Sequence, residues 1–490
     1  MPAEQVIVVG AGIAGLACAA RLAAKGYGVT VFDKNDYPGG KLGLIKQGGY
    51  GFDRGPSLFT QAHLFDELFT DCGRDRVQYL EYEKLEEGTR YFWDDGTFLE
   101  AFPDREKLAA ELQRALGISS DAVPKYLDRA ADLYEHIGQI FLDQPLDDWR
   151  TWASVRVLKA FAHLRLPYLT QKLHQYNQTM LRHPKLVQLF DRFATYNGSD
   201  PYRCPAMLST IAHLELTEGA YYPKGGMTSI PDAVYRLCLD LGVEFRLGEE
   251  VKRIIASSGA VQGVETNVQR YIASRVVSNS DVYFTYANLL QDQERARHWE
   301  QQERSSSGIV FYWGIKKTFP ELGLHNIFFA EDYKAEFDAL FRQRKVHSDP
   351  TVYVNITSKM ETAHAPEGCE NWFVLINAPA SSERNEQAIQ QTRMNVLRKL
   401  STRLGTDMEQ LIETEAILDP AGIETWTNSY AGALYGTASN TSMSAFARHP
   451  ARSRKYKGLF FAGGTVHPGG GIPLCMRSGR LAADALVKSS

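Results

Sequence analysis

The sequence predicts an α/β fold in which a parallel-sheet domain is interleaved with a second, α+β domain built from a mixed sheet plus helices. Three observations carry that expectation. Gly10-Ala-Gly12-Ile-Ala-Gly15 follows a short apolar run and opens a helical one, the order strand–turn–helix. A second glycine-rich stretch, 463–471, stands near the opposite end of the chain. At 490 residues the chain is too long for one ordinary domain, so both glycine stretches serve one unit only if that unit is assembled from separated segments.

Along the chain, Gln5–Val9 reads as a buried strand, 13–25 as a helix ended by Gly26, and 29–32 as the next strand. From 104 to 218 the pattern is mainly helical, with breaks at Pro124, Pro145, Pro167 and Pro184. Segments 240–253 and 260–277 read as short strands joined by turns. Segments 309–315, 351–357 and 372–378 are rich in β-branched and aromatic residues and read as strands of a second sheet. A helix is expected over 388–404, a buried strand over 459–462, and a last helix over 473–487 with proline in its first turn. The division that follows is a dinucleotide-binding domain from 1-103, 223-285 and 420-490, and a substrate and membrane-docking domain from 104-222 and 286-419.

Composition excludes several classes. A mean hydropathy of -0.30 is too polar for a polytopic membrane protein. A net charge of -4 gives no case for a nucleic-acid partner. Cys18, Cys72, Cys204, Cys238, Cys369 and Cys475 are scattered with no metal-ligand spacing, as expected of reduced thiols in a cytoplasmic protein. The apolar run 6–24 has no basic residues before it and is interrupted by Arg21 and three glycines, so it is expected to be structural rather than a targeting segment.

The first glycine motif has the spacing of a Rossmann-like dinucleotide turn. Gly10 makes the turn, Gly12 lets backbone approach a pyrophosphate, and Gly15 lets helix and strand pack closely. The helix start at Ile13 and Ala14 then offers free N–H groups to phosphate charge. Asp33 ends the next strand, where a carboxylate accepts hydrogen bonds from ribose hydroxyls. Eleven of the 40 glycines lie in this motif, in Gly39-Gly40-Lys41, at Gly55 and in 463–471. A nicotinamide site does not need the distant stretch. A flavin does, because its long ring must be approached by backbone at several points, and a final helix starting near Pro473 can aim its positive end at the pyrimidine edge. FAD is therefore the expected cofactor, with no separate NAD(P)H site.

Taken in order, the opening motif, Pro38-Gly-Gly-Lys41, Asp53-Arg-Gly-Pro-Ser57, Tyr222-Pro-Lys-Gly-Gly226, Val277-Ser-Asn279-Ser-Asp281 and His467-Pro-Gly-Gly-Gly-Ile-Pro473 resemble bacterial carotenoid desaturases of the phytoene-desaturase type, within the FAD-dependent amine-oxidase-like group. Arg192-Phe-Ala-Thr-Tyr-Asn-Gly198, Phe311-Tyr-Trp-Gly-Ile-Lys316 and Leu324-His-Asn-Ile-Phe-Phe329 resemble one branch, the hydroxycarotenoid 3,4-desaturases. The resemblance implies that Gly10, Gly12, Ile13, Ala14 and Gly15 bind pyrophosphate and that Asp33 and Lys34 stand at the adenosine ribose. Gly39, Gly40, Lys41 and Leu42 would follow the diphosphate and ribityl chain. Gly55, Pro56, Ser57 and Leu58 would pass the flavin, and Val251 would meet adenine through its backbone. Asn279, Gly463, Gly464, Gly471, Ile472 and Pro473 would close the phosphate and pyrimidine edges. Gly464 departs from the wider group, many of whose members carry an acid there.

Desaturation removes a hydride, to flavin N5, and a proton. An apolar tunnel orients the chain and excludes water. For the proton acceptor, Glu215 and His213 precede the Tyr222-Pro-Lys-Gly-Gly segment expected to return toward the flavin; Asp147, Asp148 and Arg150 form another charged group at a possible tunnel mouth. Oxygen or a quinone is the expected terminal electron acceptor. The alternatives are a phytoene desaturase, a carotenoid isomerase or saturase, an amine oxidase of the wider group, and a non-enzymatic lipid or prenyl carrier of the same architecture.

The stretch 149–190 holds seven basic residues and no Asp or Glu. Arg156, Lys159 and His163 share one helical stripe; Val157, Phe161 and Leu164 share another. An amphipathic segment of this kind is expected to lie on an anionic membrane surface. The expected location is cytoplasmic, peripherally associated with the inner face of the cell membrane, where a carotenoid substrate is dissolved.

Overall fold

The structure is a computed structural model and describes residues 4–118, 121–444 and 446–489. Five parallel strands form its first sheet, in the order Glu244–Leu247, Gly28–Asp33, Gln5–Val9, Arg275–Ser278 and Leu459–Phe461. Val9 sits beside Phe32 on one side and Ser278 on the other, and Ser278 beside Phe461. Val6 and Val8 on the central strand are fully buried, as a parallel sheet covered on both faces requires.

On one face the helix Ile13–Ala24 packs between Ser229–Asp240 and the last helix, Ile472–Val487. The sequence reading does not mark Ser229–Asp240, yet its buried stripe of Ile230, Ala233, Val234 and Leu237 follows a helical period. A Cβ on Gly479 would lie 2.5 Å from the Ala14 carbonyl oxygen and 3.2 Å from Cys18 N, so the first and last helices touch backbone to backbone. On the other face lies a three-stranded antiparallel sheet, Val251–Ser257, Ala260–Thr266 and Arg270–Ile272. Ile254 and Val264 pack there against Ile7 and Phe32.

The second sheet has seven strands, in the order Ile412–Leu418, Ser307–Ile315, Glu370–Ala378, Val352–Asn355, His325–Phe328, Thr89–Phe92 and Phe98–Ala101. Only the pairing of His325–Phe328 with Thr89–Phe92 is parallel. Helices between Arg105–Leu116 and Thr210–Leu216 pack on part of it through one apolar cluster that includes Tyr91, Leu99, Leu112, Leu127, Tyr168 and Phe329. The hairpin 89–101 thus lies in the second sheet, although the sequence division places 1-103 with the nucleotide-binding segments. Tyr91 and Leu99 bury themselves against residues of 104-222, and that long-range preference leaves no mark on the local glycine pattern.

The helix contact at Gly479 sets a first expectation. Gly479→Ala forces a methyl against backbone that cannot yield like a flexible side chain, and overpacking of this kind costs about 1–3 kcal/mol. A drop of that size in the unfolding free energy, measured by urea titration, is expected; an unchanged midpoint contradicts the backbone contact.

Candidate active site

The two glycine stretches meet at one side chain. Asn279 N donates to the Val9 carbonyl at 2.7 Å, and Asn279 Nδ2 donates to the Ala462 carbonyl at 2.9 Å. A Cβ on Gly12 would sit 2.7 Å from Asn279 Oδ1, one on Gly15 2.8 Å from the same atom, and one on Gly463 2.8 Å from Nδ2. The absence of side chains at these glycines is thus required by the close approach of Asn279.

Beside this junction opens a cavity of about 800 Å³. Of the expected cofactor residues, Gly12, Ile13, Ala14, Gly39, Gly40, Lys41, Leu42, Gly55, Pro56, Ser57, Leu58, Asn279, Gly463, Gly464, Gly471, Ile472 and Pro473 line it. The structure brings these dispersed positions to one wall. Gly10, Gly15, Asp33, Lys34 and Val251 do not line it. Gly15 is a packing glycine, its Cβ position lying 2.3 Å from the Gly10 carbonyl oxygen. Val251 is buried at the start of the three-stranded sheet, paired with Thr266.

Asp33 holds the turn from behind, accepting from Ala11 N at 2.7 Å and from Asn35 N at 2.9 Å. Its carboxylate keeps further lone pairs for ribose hydroxyls. Lys34 Nζ is engaged with the Thr425 carbonyl and Asn428 Oδ1, both at 2.7 Å. Lys41 Nζ donates to the Ala433 and Leu434 carbonyls at 3.0 and 2.8 Å, and burial pulls its pKa down to about 8.

Two helix starts face the cavity without side-chain caps, at Gly12 and at Gly471. Uncapped N–H groups at a helix start are where a phosphate or an electron-rich ring edge binds. A Cβ at Gly471 would meet nothing within 4 Å, so that backbone borders open space. The residues present fit a dinucleotide with a long planar ring.

The two candidate proton acceptors separate. Glu215 lines the cavity and His213 does not. Glu215 is buried and accepts from Arg192 Nη2 at 3.2 Å, from Thr89 Oγ1 at 3.1 Å and from Tyr196 Oη. His213 Nε2 stands 3.6 Å from Glu218 Oε1, and its ring packs near Tyr134. Positions two apart on a helix point in different directions, so the pair cannot act at one point. Asp147 and Asp148 do not line this cavity; Asp148 caps the short helix Trp149–Trp152 through Arg150 N. His467 donates toward the Gln144 carbonyl at 3.0 Å, outside the same lining, and burial lowers its pKa to about 4.

Several lining residues carry no role in the sequence reading. Arg192 is buried and also donates to Tyr91 Oη at 2.7 Å. His325 Nδ1 lies 2.8 Å from Tyr353 Oη, which lies 2.8 Å from Ser57 Oγ. Arg448, lowered to about 10 by burial, donates to the Thr437 carbonyl at 3.0 Å. Arg192 and His325 stand inside stretches picked out for family resemblance, which was the available signal; Tyr353 and Arg448 had none.

The far end of the cavity runs into the basic stretch. Trp152, Val157, Leu164 and Leu169 line it. Val157 is buried and Leu164 half-buried, so the apolar stripe expected to meet lipid faces the cavity instead; the side chain of Phe161 lies outside the described residues. The large apolar side chains exposed in this stretch are Trp149, Val155 and Leu166, together with Trp152 and Leu169 at the end of the cavity. Arg156 and Lys159 are exposed among them, while Lys185 is paired with Asp95. No helix of the described residues is long and apolar enough to cross a membrane.

The family model for flavin containing amine oxidoreductase matches residues 13–487. The chain belongs to that family. It is an FAD-dependent oxidoreductase with an amine-oxidase-like fold. It is similar to the 1-hydroxycarotenoid 3,4-desaturase of Flavobacterium sp. (strain P99-3), 47% identical across 99% of this chain and 100% of that one. It is similar at 32% identity to the 4,4'-diapolycopene oxygenase of Methylomonas sp, over 99% and 98% of the two chains. The phytoene desaturase of Fusarium fujikuroi is also 32% identical, over 99% and 90%. Among solved structures, a redesigned putrescine oxidase matches with TM-score 0.63 at 16% identity over all of both chains. Cyclohexylamine oxidase from Brevibacterium oxydans matches with TM-score 0.61 at 17% identity over 99% of both. Identity that low establishes the fold alone.

Burial, reinforced by the Arg192 charge, holds His325 well below its usual 6.5, at about 3. The unfolded chain therefore binds more protons between those values, so the stability His325 contributes is complete above pH 6.5 and is lost as pH falls toward 3. Unfolding midpoints followed from pH 6.5 to about 4 are expected to fall less steeply in His325→Gln than in the parent. Equal slopes contradict a neutral, buried His325.

Proposed function

We propose that this enzyme is a carotenoid desaturase that forms a C=C bond at the 3,4 position of a 1-hydroxylated end group on an acyclic or monocyclic carotenoid. The observation that carries the reading is the course of the cavity. It begins at two uncapped helix starts fitted to a flavin, continues between apolar walls, and ends among helices with exposed tryptophan and leucine. A long hydrocarbon drawn from lipid suits such a course, and a small polar amine does not. The name of the 47% identical relative supports the choice of bond.

FAD, when bound, supplies a two-electron acceptor for hydride. The chain supplies the rest. Its glycine turns admit the dinucleotide backbone, and Val310, Ile327, Phe373 and Leu375 give the cavity apolar walls that exclude water and orient a polyene. Glu215 is the proposed proton acceptor. Asp281, also among the lining residues, caps Tyr283 N at 2.7 Å and lies 3.7 Å from Arg304 Nη1. Arg192, Tyr196 and Thr89 fix the orientation of the Glu215 carboxylate.

Expression in bacteria that accumulate either phytoene or a 1-hydroxylated carotenoid tests this reading. The hydroxylated pigment is expected to lose two hydrogens and absorb at longer wavelength, with Glu215→Gln lowering product formation by about 10²-fold or more at equal flavin content. Repeated hydrogen loss from phytoene, with the hydroxylated pigment untouched, overturns it.

We propose further that the enzyme docks on a membrane: Trp149, Val155 and Leu166 enter the interface, while Arg156 and Lys159 meet anionic headgroups. On this proposal the enzyme sits peripherally on the inner face of the cell membrane. Each basic residue near such a surface contributes about 1 kcal/mol, so Arg156→Glu with Lys159→Glu is expected to weaken sedimentation with phosphatidylserine-containing vesicles by more than about tenfold. Equal sedimentation of parent and variant, or equal binding to neutral vesicles, contradicts it.

A further inference from the structure

In a channel whose lining is mainly apolar, a second group of hydrogen-bonding side chains, besides Arg192, Tyr196 and Glu215, gathers beside the proposed flavin contact. Ser57 belongs to the segment 55–58 that lines the cleft, and its Oγ meets Tyr353 Oη at 2.8 Å. Tyr353 Oη in turn meets His325 Nδ1 at 2.8 Å. Asn355 Nδ2, whose amide is oriented by the Leu324 carbonyl at 2.9 Å, reaches the same His325 nitrogen at 3.3 Å. An amide N–H only donates, so Nδ1 is an acceptor. Tyr353 then donates to His325, and Ser57 donates to Tyr353. The chain of bonds has a fixed direction, and it ends at a Ser57 Oγ whose lone pairs are unspent. Ser57 and Tyr353 are only half-buried, their remaining surface bordering the cavity. Arg192, close enough for its charge to act on both Tyr353 and His325, keeps a buried Nε without a partner.

Such a cluster gains nothing from a hydrocarbon end, which would cover its polar atoms without bonding them. It suits a hydroxyl. In a 1-hydroxylated end group only C1 and C2 stand between the oxygen and C3, so a seat for that oxygen must adjoin the site of reaction. We propose that Ser57, Tyr353 and His325 form the seat for the substrate's terminal hydroxyl, which donates to Ser57 Oγ, and that they act as positioning residues bringing C3 and C4 to the flavin. This rests on the desaturase reading above and adds to it the residues that select the hydroxylated end.

The test compares kcat and KM of purified, flavin-loaded enzyme on three detergent-dispersed chains: a 1-hydroxylated acyclic carotenoid, its 1-methoxy counterpart, and the same chain with neither group. A site built to hydrogen-bond a substrate hydroxyl rejects the analogue lacking it by about 10⁴-fold in kcat/KM. Discrimination of that order is expected in the parent, with the methoxy chain, which cannot donate, grouped with the plain one. Tyr353→Phe keeps the ring and removes the relay; Ser57→Ala removes the acceptor. In each, the hydroxylated chain is expected to lose at least about tenfold more than the plain chain. Flavin content, read from the absorption of the isolated proteins, identifies any variant that fails to fold, and the other variant then decides. A parent that discriminates while the variants lose activity equally on all chains overturns the seat and leaves the desaturase reading standing. A parent that treats the three chains alike overturns both.

Discussion

Asn279 is the side chain on which the rest of the structure depends. Its backbone bonds to the end of the first strand, its amide to the end of the last, and its flanks press on glycines from both ends of the sequence. Any Cβ at Gly12, Gly15 or Gly463 would displace it. The requirement for glycine in these motifs is therefore partly internal. Backbone must approach a dinucleotide, and it must also approach Asn279, so that two helix starts separated by most of the chain open into one cavity. The contact between the first and last helices at Gly479 repeats the same principle on the sheet's outer face.

Once both ends converge there, the second sheet and the helices packed on it can only be carried as insertions, and they form the remaining wall. That arrangement puts three environments in series: a polar cleft at the helix starts, an apolar channel, and a cationic surface with exposed aromatic and aliphatic groups. Under the proposed function, a lipid-dissolved substrate reaches the buried redox site along this series without crossing water. The buried charges follow the same order. Arg192 and Glu215 compensate each other inside the channel, while Arg156 and Lys159 remain exposed at its outer end.

Features written in local pattern were legible in the sequence: the strand–turn–helix, the position of Asp33 at the end of the second strand, three of the second-sheet strands and the last helix. The wall of the cavity was legible too, because turns that admit backbone leave glycines behind. What failed depended on direction or on distant partners. A channel-facing stripe and a lipid-facing stripe have the same composition, so the sequence does not separate the buried Val157 and half-buried Leu164 from membrane contacts. His213 and Glu215 are neighbours in sequence, but only one faces the channel. The hairpin 89–101 joins a sheet whose other strands begin two hundred residues later. Ser57, Tyr353 and His325 come from separate strands and loops, and nothing in any one segment announces the chain of bonds they make.

The central claim is that one cavity holds flavin and carotenoid together, so that electrons leave the polyene only by way of the cofactor. An anaerobic single turnover measures this most directly, with enzyme-bound FAD mixed with the 1-hydroxylated carotenoid and both chromophores followed at once. The expected result is bleaching of the flavin in step with the red shift of the polyene, one flavin reduced for each double bond formed. A red shift without flavin bleaching, or an oxidised flavin that the hydroxylated polyene leaves untouched, contradicts the account.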